Sequence, residues 1–338
     1  MPDILTHLLG ADQALNSLNE DIKAILSANR NIYNLGAQGP DLFFYYKPLP
    51  WMDSGNMGDN GTLLHTEKIN QFFINGANRI KHVITTDPIG FFKSKSKNSA
   101  VHKEFAYLAG FLSHYAFDTI CHPYIFYFSG IDAGYNHKYL ECILDTLLND
   151  IYHGKKIGLQ NTGRAVELTK KERAIISIFM SKVIDQTYKV RIKSEDISRC
   201  FADMSTTCQS LYDPLSVKRP LLSIADRLSK SKGRIITATF PAKMEKDIDY
   251  LNIKKDTWFN PCDNDLVYDD SFLELFEKAT YYTEDLIKAL SFYLINTSTE
   301  SQFKEIIGDK QYDTGLPGDL EMKYENVILD FKKTYNLK

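Results

Sequence analysis

All eight histidines of this 338-residue chain fall between His7 and His153, and the last 185 residues hold none. Five of them, His7, His65, His114, His122 and His137, can serve as metal ligands. Two have a carboxylate four residues on: His114 with Asp118 in HYAFD, and His137 with Glu141 in HKYLE. On a helix, side chains at i and i+4 project from one face, so imidazole and carboxylate can grip a single cation. Asp41, in the turn-like segment GAQGPD, adds a third carboxylate, and Asp118 also precedes His122 by four. Neutral imidazole with ionised carboxylate suits Zn²⁺, Mn²⁺ or Fe²⁺, whereas Mg²⁺ and Ca²⁺ favour oxygen ligands alone. Together these residues offer more ligands than one ion needs, which predicts two or three ions. The two oxygens of Asp118 can bridge neighbouring ions, and a carboxylate-bridged pair ~3.5–4 Å apart suits in-line displacement at phosphorus.

The competing readings are structural. A lone histidine is more often a satisfied structural residue than a ligand, and a lone i,i+4 pair is surface pairing worth ~0.2–0.5 kcal/mol. The ordered set favours metal binding. His82, His102 and His153 fit no ligand slot and are read as surface residues. Cys121 and Cys142 lie beside candidate ligands but are read as buried small hydrophobes. Phe43, Phe44, Tyr45, Tyr46 and Trp51 follow Asp41 closely. Core or loop packing is favoured for them over a substrate wall or membrane-touching lid, and Phe126, Tyr127 and Phe128 are read likewise. Asp53 and Asp59 sit in a Gly/Asn-rich stretch and are read as turn formers.

The elements that must position these side chains are helical. Residues 3–18 form a short helix in this reading, and 64–84 a second. One long helix from about Ser99 to Ile120 ends just before His122, because Pro123 disfavours helical geometry at the preceding residue. Another starts near Asn136 as N-cap and runs to about His153, with Gly154 beyond its end. Further helices are expected at 169–189, 194–211 and 270–296, a short strand at 233–240, an ordered turn at 308–316 and a last helix after it. The fold class is all-α. One domain, 1–338, is expected, with a metal-bearing half at 1–155 and additional packing helices at 156–338; a split near residue 155 is the weaker option.

Composition sets the outer bounds. A content of 43% hydrophobic and 25% charged residues is that of an ordinary globular protein. A formal net charge of −3 argues against a general nucleic-acid-binding surface; Lys93, Lys95 and Lys97 read as a solvated loop. Five cysteines without a CxxC pair indicate no disulfide framework and fit a reducing compartment. The N-terminus carries no basic n-region or apolar h-region, and no apolar stretch approaches the ~20 residues of a transmembrane helix. A cytoplasmic location is expected.

The order His7, Asp41, His65, His114-xxx-Asp118, His122, His137-xxx-Glu141 resembles the zinc-dependent phospholipase C family, related to the P1/S1 nucleases. The resemblance covers residues 1–155 by motif. It implies a multi-helix bundle with a trinuclear zinc site: Asp41, His65, His114 and Asp118 on one ion, His122, His137 and Glu141 on a second, His7 and Asp118 on a third. It also implies Asp41 as general base for the attacking water. Secreted members complete the third site with an N-terminal Trp; this chain begins Met1-Pro2-Asp3. Asp3, four residues before His7, can supply that ligand or instead cap the helix, and the amine of Pro2 is the other option. The His114-to-His122 interval is shorter than in the secreted toxins, and Leu42 follows Asp41 where their choline pocket places an aromatic. The implied activity is hydrolysis of a phosphodiester, phospholipid or other, with at most peripheral membrane contact and no stable nucleic-acid partner. The rivals are a P1/S1-like nuclease or nucleotidase, and a non-catalytic metal-binding protein.

Overall fold

A 30-residue helix, buried on every side through its middle, forms the axis of the molecule in a computed structural model. The structure describes residues 4–49, 51–131, 134–154, 160–214, 217–218, 244–330 and 333. In chain order the helices are α1 (Ile4–Ala14), α2 (Glu20–Ala28), α3 (Arg30–Gly36), α4 (Met57–Thr66), α5 (Ile69–Val83), α6 (Pro88–Lys93), α7 (Ala100–Ser129), α8 (Tyr135–His153), α9 (Thr162–Ala165), α10 (Lys170–Tyr188) and α11 (Ser194–Leu211). A small antiparallel hairpin follows, β1 (Trp258–Asn260) and β2 (Asp263–Tyr268), then α12 (Phe272–Leu294) and α13 (Glu300–Ile307). A 3₁₀ segment spans Gly39–Tyr45. Among the described residues the fold is all-α apart from that hairpin, and no helix of them is long and apolar enough to cross a membrane.

The axial helix is α7. Its residues from Phe105 to Thr119 are buried without interruption, mostly apolar but with His114 and Asp118 among them. α3 and α12 lie along it. Small residues let α3 come close: a Cβ on Gly36 would stand 2.2 Å from the Tyr107 carbonyl oxygen, and one on Gly110 2.1 Å from that of Tyr33. Neither position tolerates alanine without backbone movement. This contact delivers the chain after α3 to the middle of α7, where Gly39 turns with φ +50° directly against the His114 ring. A side chain there would occupy the ring's space, and the left-handed backbone favours glycine as well.

α7 passes through Pro123 and ends at Ser129, which corrects the expected end before His122. Proline in a helix interior costs ~3 kcal/mol, because it removes one hydrogen bond and crowds the preceding turn. Burial of Tyr124, Ile125, Tyr127 and Phe128 against α8, the hairpin and α12 outweighs that local cost. The Pro123 ring packs against Gly315, whose backbone also lies on the Thr119 carbonyl. Only a chain without a Cβ fits so close.

Other boundaries moved for similarly local reasons. The expected helix over 64–84 is two helices, divided at Glu67–Lys68, where Lys68 adopts a left-handed φ of 50°. Asp59 belongs to the first turn of α4, whereas Asp53 does form a turn, accepting from the Gly55 amide at 2.9 Å. α8 is capped by Gly134 rather than Asn136. Capping boxes at Thr169/Glu172 and Ser271/Glu274 start α10 and α12 close to their expected positions. The strand expected at 233–240 lies outside the described residues, and the hairpin at 258–268 was not foreseen. No helix follows Leu316 through residue 330. That segment instead donates backbone hydrogen bonds outward, from Lys323 and Tyr324 to the Pro261 carbonyl and from Asn326 and Ile328 to those of Tyr127 and Phe128. Its N–H groups are paired with the hairpin and the end of α7, so a helix there would break those bonds.

α1 carries His7 and is pinned at its start by Asp145 of α8. The fully buried Asp145 carboxylate accepts from the Leu5 amide at 3.1 Å, the Thr6 amide at 2.9 Å and the Thr6 hydroxyl. A carboxylate at a helix N-terminus satisfies its free N–H groups and complements its dipole. Asp145→Ala is expected to destabilise the protein by roughly 2–4 kcal/mol, because several buried donors lose their acceptor at once. Chemical denaturation checks this, and an unchanged midpoint would refute the anchoring role.

Candidate metal centre

Three imidazoles share one local design. His65 Nδ1 lies 2.7 Å from the Gly61 carbonyl, His114 Nδ1 3.2 Å from that of Ala37, and His122 Nδ1 3.1 Å from that of Tyr312. A carbonyl only accepts, so each Nδ1 carries the proton and each Nε2 keeps its lone pair. Those three Nε2 atoms are buried and make no hydrogen bond, and the same holds for both His7 nitrogens, Asp41 Oδ1 and both Asp118 oxygens. Ordinary buried polar atoms are paired. A cluster of lone pairs turned inward is what a cation requires.

Asp118 of α7 stands at the centre. Its Oδ1 is 3.3 Å from His7 Nε2; its Oδ2 is 3.0 Å from His114 Nε2 and 3.9 Å from His65 Nε2. Asp41 reaches in from the 3₁₀ segment, with Oδ1 3.3 Å from His65 Nε2. The ring of His7 stacks on that of His114 at a centroid separation of 4.3 Å. At the outer end, His137 Nε2 is 3.0 Å from Glu141 Oε1, and the His137 and His122 rings are 5.6 Å apart. Ligand atoms converge within 4.8 Å in three groups: His7, His114 and Asp118; Asp41, His65 and His114; His122, His137 and Glu141.

The electrostatics follow from burial. Desolvation lowers the pKa of His7 from 6.5 to about 4 and pushes His137 well below its ordinary value. Burial opposes ionisation of Asp118, yet the His114 and His122 charges hold its carboxyl well below the usual range. For His65 burial is again the largest influence and acts downward, but Asp41 reverses it and leaves the pKa raised. A histidine held neutral in the fold contributes stability that is complete above its unfolded pKa and lost as pH falls towards the folded one. His7 and His137 act in that sense, and His65 acts in the opposite one. The chelated protein is therefore expected to lose thermal stability as pH drops from about 6.5 towards 4. Melting at a series of pH values checks this, and a midpoint that holds or rises on acidification contradicts it.

Every candidate ligand within the described residues joins the cluster. Asp3 lies outside them. The sequence model of the zinc dependent phospholipase C family matches residues 6–204, which include His7, Asp41, His65, His114, Asp118, His122, His137 and Glu141. The chain belongs to the zinc-dependent phospholipase C family. No curated protein and no solved structure matches it. As a member of that family, the chain carries a buried His/Asp/Glu cluster whose donor set fits zinc, imidazole nitrogens converging with carboxylates.

The remaining histidines divide. His82 and His153 are exposed, as expected. His102 is buried, which corrects its reading as a surface residue: its Nε2 faces the Phe91 carbonyl at 3.0 Å, its Nδ1 the Ser99 hydroxyl at 2.7 Å, and its ring stacks on Phe91. Both ring nitrogens are paired, so burial costs little. Cys121 and Cys142 are buried, and desolvation drives the Cys121 thiol well above its usual pKa, which disfavours a thiolate ligand there.

A cavity of about 290 Å³ opens onto the outer group, lined by Phe44, His65, His122, His137, Glu141 and Asp313, among others. The aromatics split by position. Phe43 is core, whereas Phe44 is half exposed, stacks near His65 at 6.0 Å and forms part of the cavity wall; Trp51 is 78% exposed. Phe126 sits 4.6 Å from the His137 ring. Two residues were missed from sequence. Tyr312 is buried with its ring edge-on to His65 at 5.0 Å, and Asp313 Oδ1 lies 3.3 Å from His122 Nδ1. Burial alone would raise the Asp313 pKa, but contact with His122 lowers it. Their only sequence signal was the turn-rich run GDKQYDTG, with no spacing that ties it to a histidine nearly two hundred positions earlier.

Proposed function

We propose that this protein is a zinc-dependent phosphoric diester hydrolase whose cluster holds two to three ions. The observation that carries the reading is the convergence of buried atoms without hydrogen-bond partners on His7, Asp41, His65, His114 and Asp118, with His65 and His122 also lining an open cavity. Asp41, His65, His114 and Asp118 would hold one ion, His122, His137 and Glu141 a second, and His7 with Asp118 a third, completed by Asp3 or the N-terminal amine. Zinc at such a site supplies a nucleophile at neutral pH and neutralises phosphoryl oxygens.

The chain's own residues do the rest. The buried Asp41 carboxylate is the base that orients the attacking water and takes its proton. Asp118 keeps neighbouring groups in register by contacting His7 and His114 through different oxygens. Lys138, 3.5 Å from Glu141 Oε2 and lining the cavity, presents a cation to an anionic substrate. The half-exposed Phe44 ring supplies an apolar wall for an acyl glycerol or a base, so a P1/S1-like nuclease or nucleotidase is the second reading. A cytoplasmic location, one domain over 1–338 and no stable nucleic-acid partner belong to the same proposal; the packing of α12 along α7 supports the single domain.

Purified protein is expected to contain two to three zinc ions and to cleave a phospholipid or another phosphodiester. Chelator should abolish turnover and lower the melting temperature, and zinc should restore both. Comparing a phospholipid analogue, a nucleotide diester and single-stranded nucleic acid assigns the substrate class. Metal-loaded protein inactive on all three favours the non-catalytic reading, and a chain whose stability ignores both chelator and zinc refutes the metal centre.

A further inference from the structure

The segment from Gly308 to Leu316 crosses over the metal centre as a strap, and it lies wholly outside the region that matches the family. Backbone contacts hold it along its length. The Asn70 amide donates to the Asp309 carboxylate at 2.8 Å, the Lys310 amide to the Tyr115 hydroxyl at 3.0 Å, and the Tyr312 amide to the His65 carbonyl at 3.3 Å. Asn260 Nδ2 donates to the Thr314 carbonyl at 3.0 Å. So fixed, the strap sets two acceptors beside one nitrogen: the Tyr312 carbonyl oxygen at 3.1 Å and Asp313 Oδ1 at 3.3 Å from His122 Nδ1.

We propose that Asp313 is a positioning residue for the outer metal site, acting through His122 as the carboxylate partner of its Nδ1–H. The proposal rests on the zinc reading of the site. Asp313 is not in the group whose ligand atoms converge, which is His122, His137 and Glu141. Its carboxylate meets the imidazole at Nδ1, while the buried Nε2 of the same ring has no hydrogen-bond partner. His65 and His114 rely at Nδ1 on the neutral carbonyls of Gly61 and Ala37. His122 has a carbonyl and a charge. An anionic acceptor fixes the tautomer and ring orientation and makes the opposite nitrogen a better donor, an effect worth 10–100-fold in metal affinity. The C-terminal strap thereby tunes one site of a cluster whose ligands all come from the N-terminal half.

The test is zinc affinity, measured on the full-length protein by competition with a chromophoric chelator. Asp313→Ala is expected to weaken one zinc ion per chain by roughly 10–100-fold and to leave the others as in the wild type. Asp313→Asn, which keeps an acceptor oxygen without the charge, should recover part of that loss and serves if the alanine variant folds poorly. Asp309→Ala is the structural control. It frees the other end of the strap, so it should lower the melting temperature while leaving all zinc affinities unchanged. Wild-type affinity in both Asp313 variants overturns the proposal and leaves the zinc reading standing. Equal loss of the same ion in Asp309→Ala also overturns it, since the strap would then act only as a brace. Wild-type protein that binds no zinc ends both.

Discussion

Asp41→Asn is expected to bind zinc nearly as the wild type does while phosphodiester turnover falls by roughly 10²–10⁴, the span of a lost general base. The substitution keeps the size of the side chain and one coordinating oxygen. It removes the group that can accept a proton. Asp41 sits in a 3₁₀ segment whose entry is fixed by Gly39 against the His114 ring, and its Oδ1 is 3.3 Å from His65 Nε2. The backbone that presents it does not depend on the charge: the Asp41 amide already donates to the Gln38 carbonyl at 3.2 Å. Metal content and turnover should therefore separate in this variant. Turnover equal to that of the wild type would remove Asp41 from the proton transfer, and parallel loss of zinc and turnover would make it a ligand only.

The second large effect concerns Asp118. Asp118→Ala should lose more zinc per chain than His137→Ala, because Asp118 contacts ligands of two groups whereas His137 belongs to one. Removing this carboxylate also leaves the stacked His7 and His114 rings, 4.3 Å apart, without the oxygens that contact them. A fall in melting temperature should accompany the metal loss, since the coordinated residues tie α1, α4 and α7 to the 3₁₀ segment. Elemental analysis after mild dialysis distinguishes the cases. Equal loss in both variants would argue against a bridging role. His82→Ala and His153→Ala are the controls, being exposed. His102→Ala is unsuitable for that purpose because it opens a buried, fully hydrogen-bonded site.

The inventory of ligands was legible in the sequence because it depends on residue type and short spacing. His114 and Asp118 occupy one helix face wherever that helix lies, and His137 with Glu141 repeats the rule; His122 joins the first face only because α7 continues past it. The helix starts at Thr169 and Ser271 were legible for a related reason: a capping box is a contact between residues three apart. Where local rules competed with packing, packing won. Pro123 by itself is a helix stop, yet α7 continues because its last turns are buried against the hairpin and α12. His102, polar by composition, is buried because the Phe91 carbonyl accepts from one ring nitrogen, the Ser99 hydroxyl donates to the other, and an aromatic ring stacks on it.

By itself, then, the sequence determined the all-helical class, the set of candidate metal-ligating side chains and the family, since each of these is written in periodicity and in the order of a few residues. Tertiary structure alone decided which candidate ligands converge, which imidazole nitrogens meet backbone carbonyls, and that residues 308–316 lie against the cluster. Those properties arise from contacts between positions far apart in the chain. The Ala37, Gly61 and Tyr312 carbonyls select the tautomers of His114, His65 and His122. A carbonyl carries no side-chain signature, and Asp313 reaches His122 across 191 residues, a separation at which no spacing rule operates.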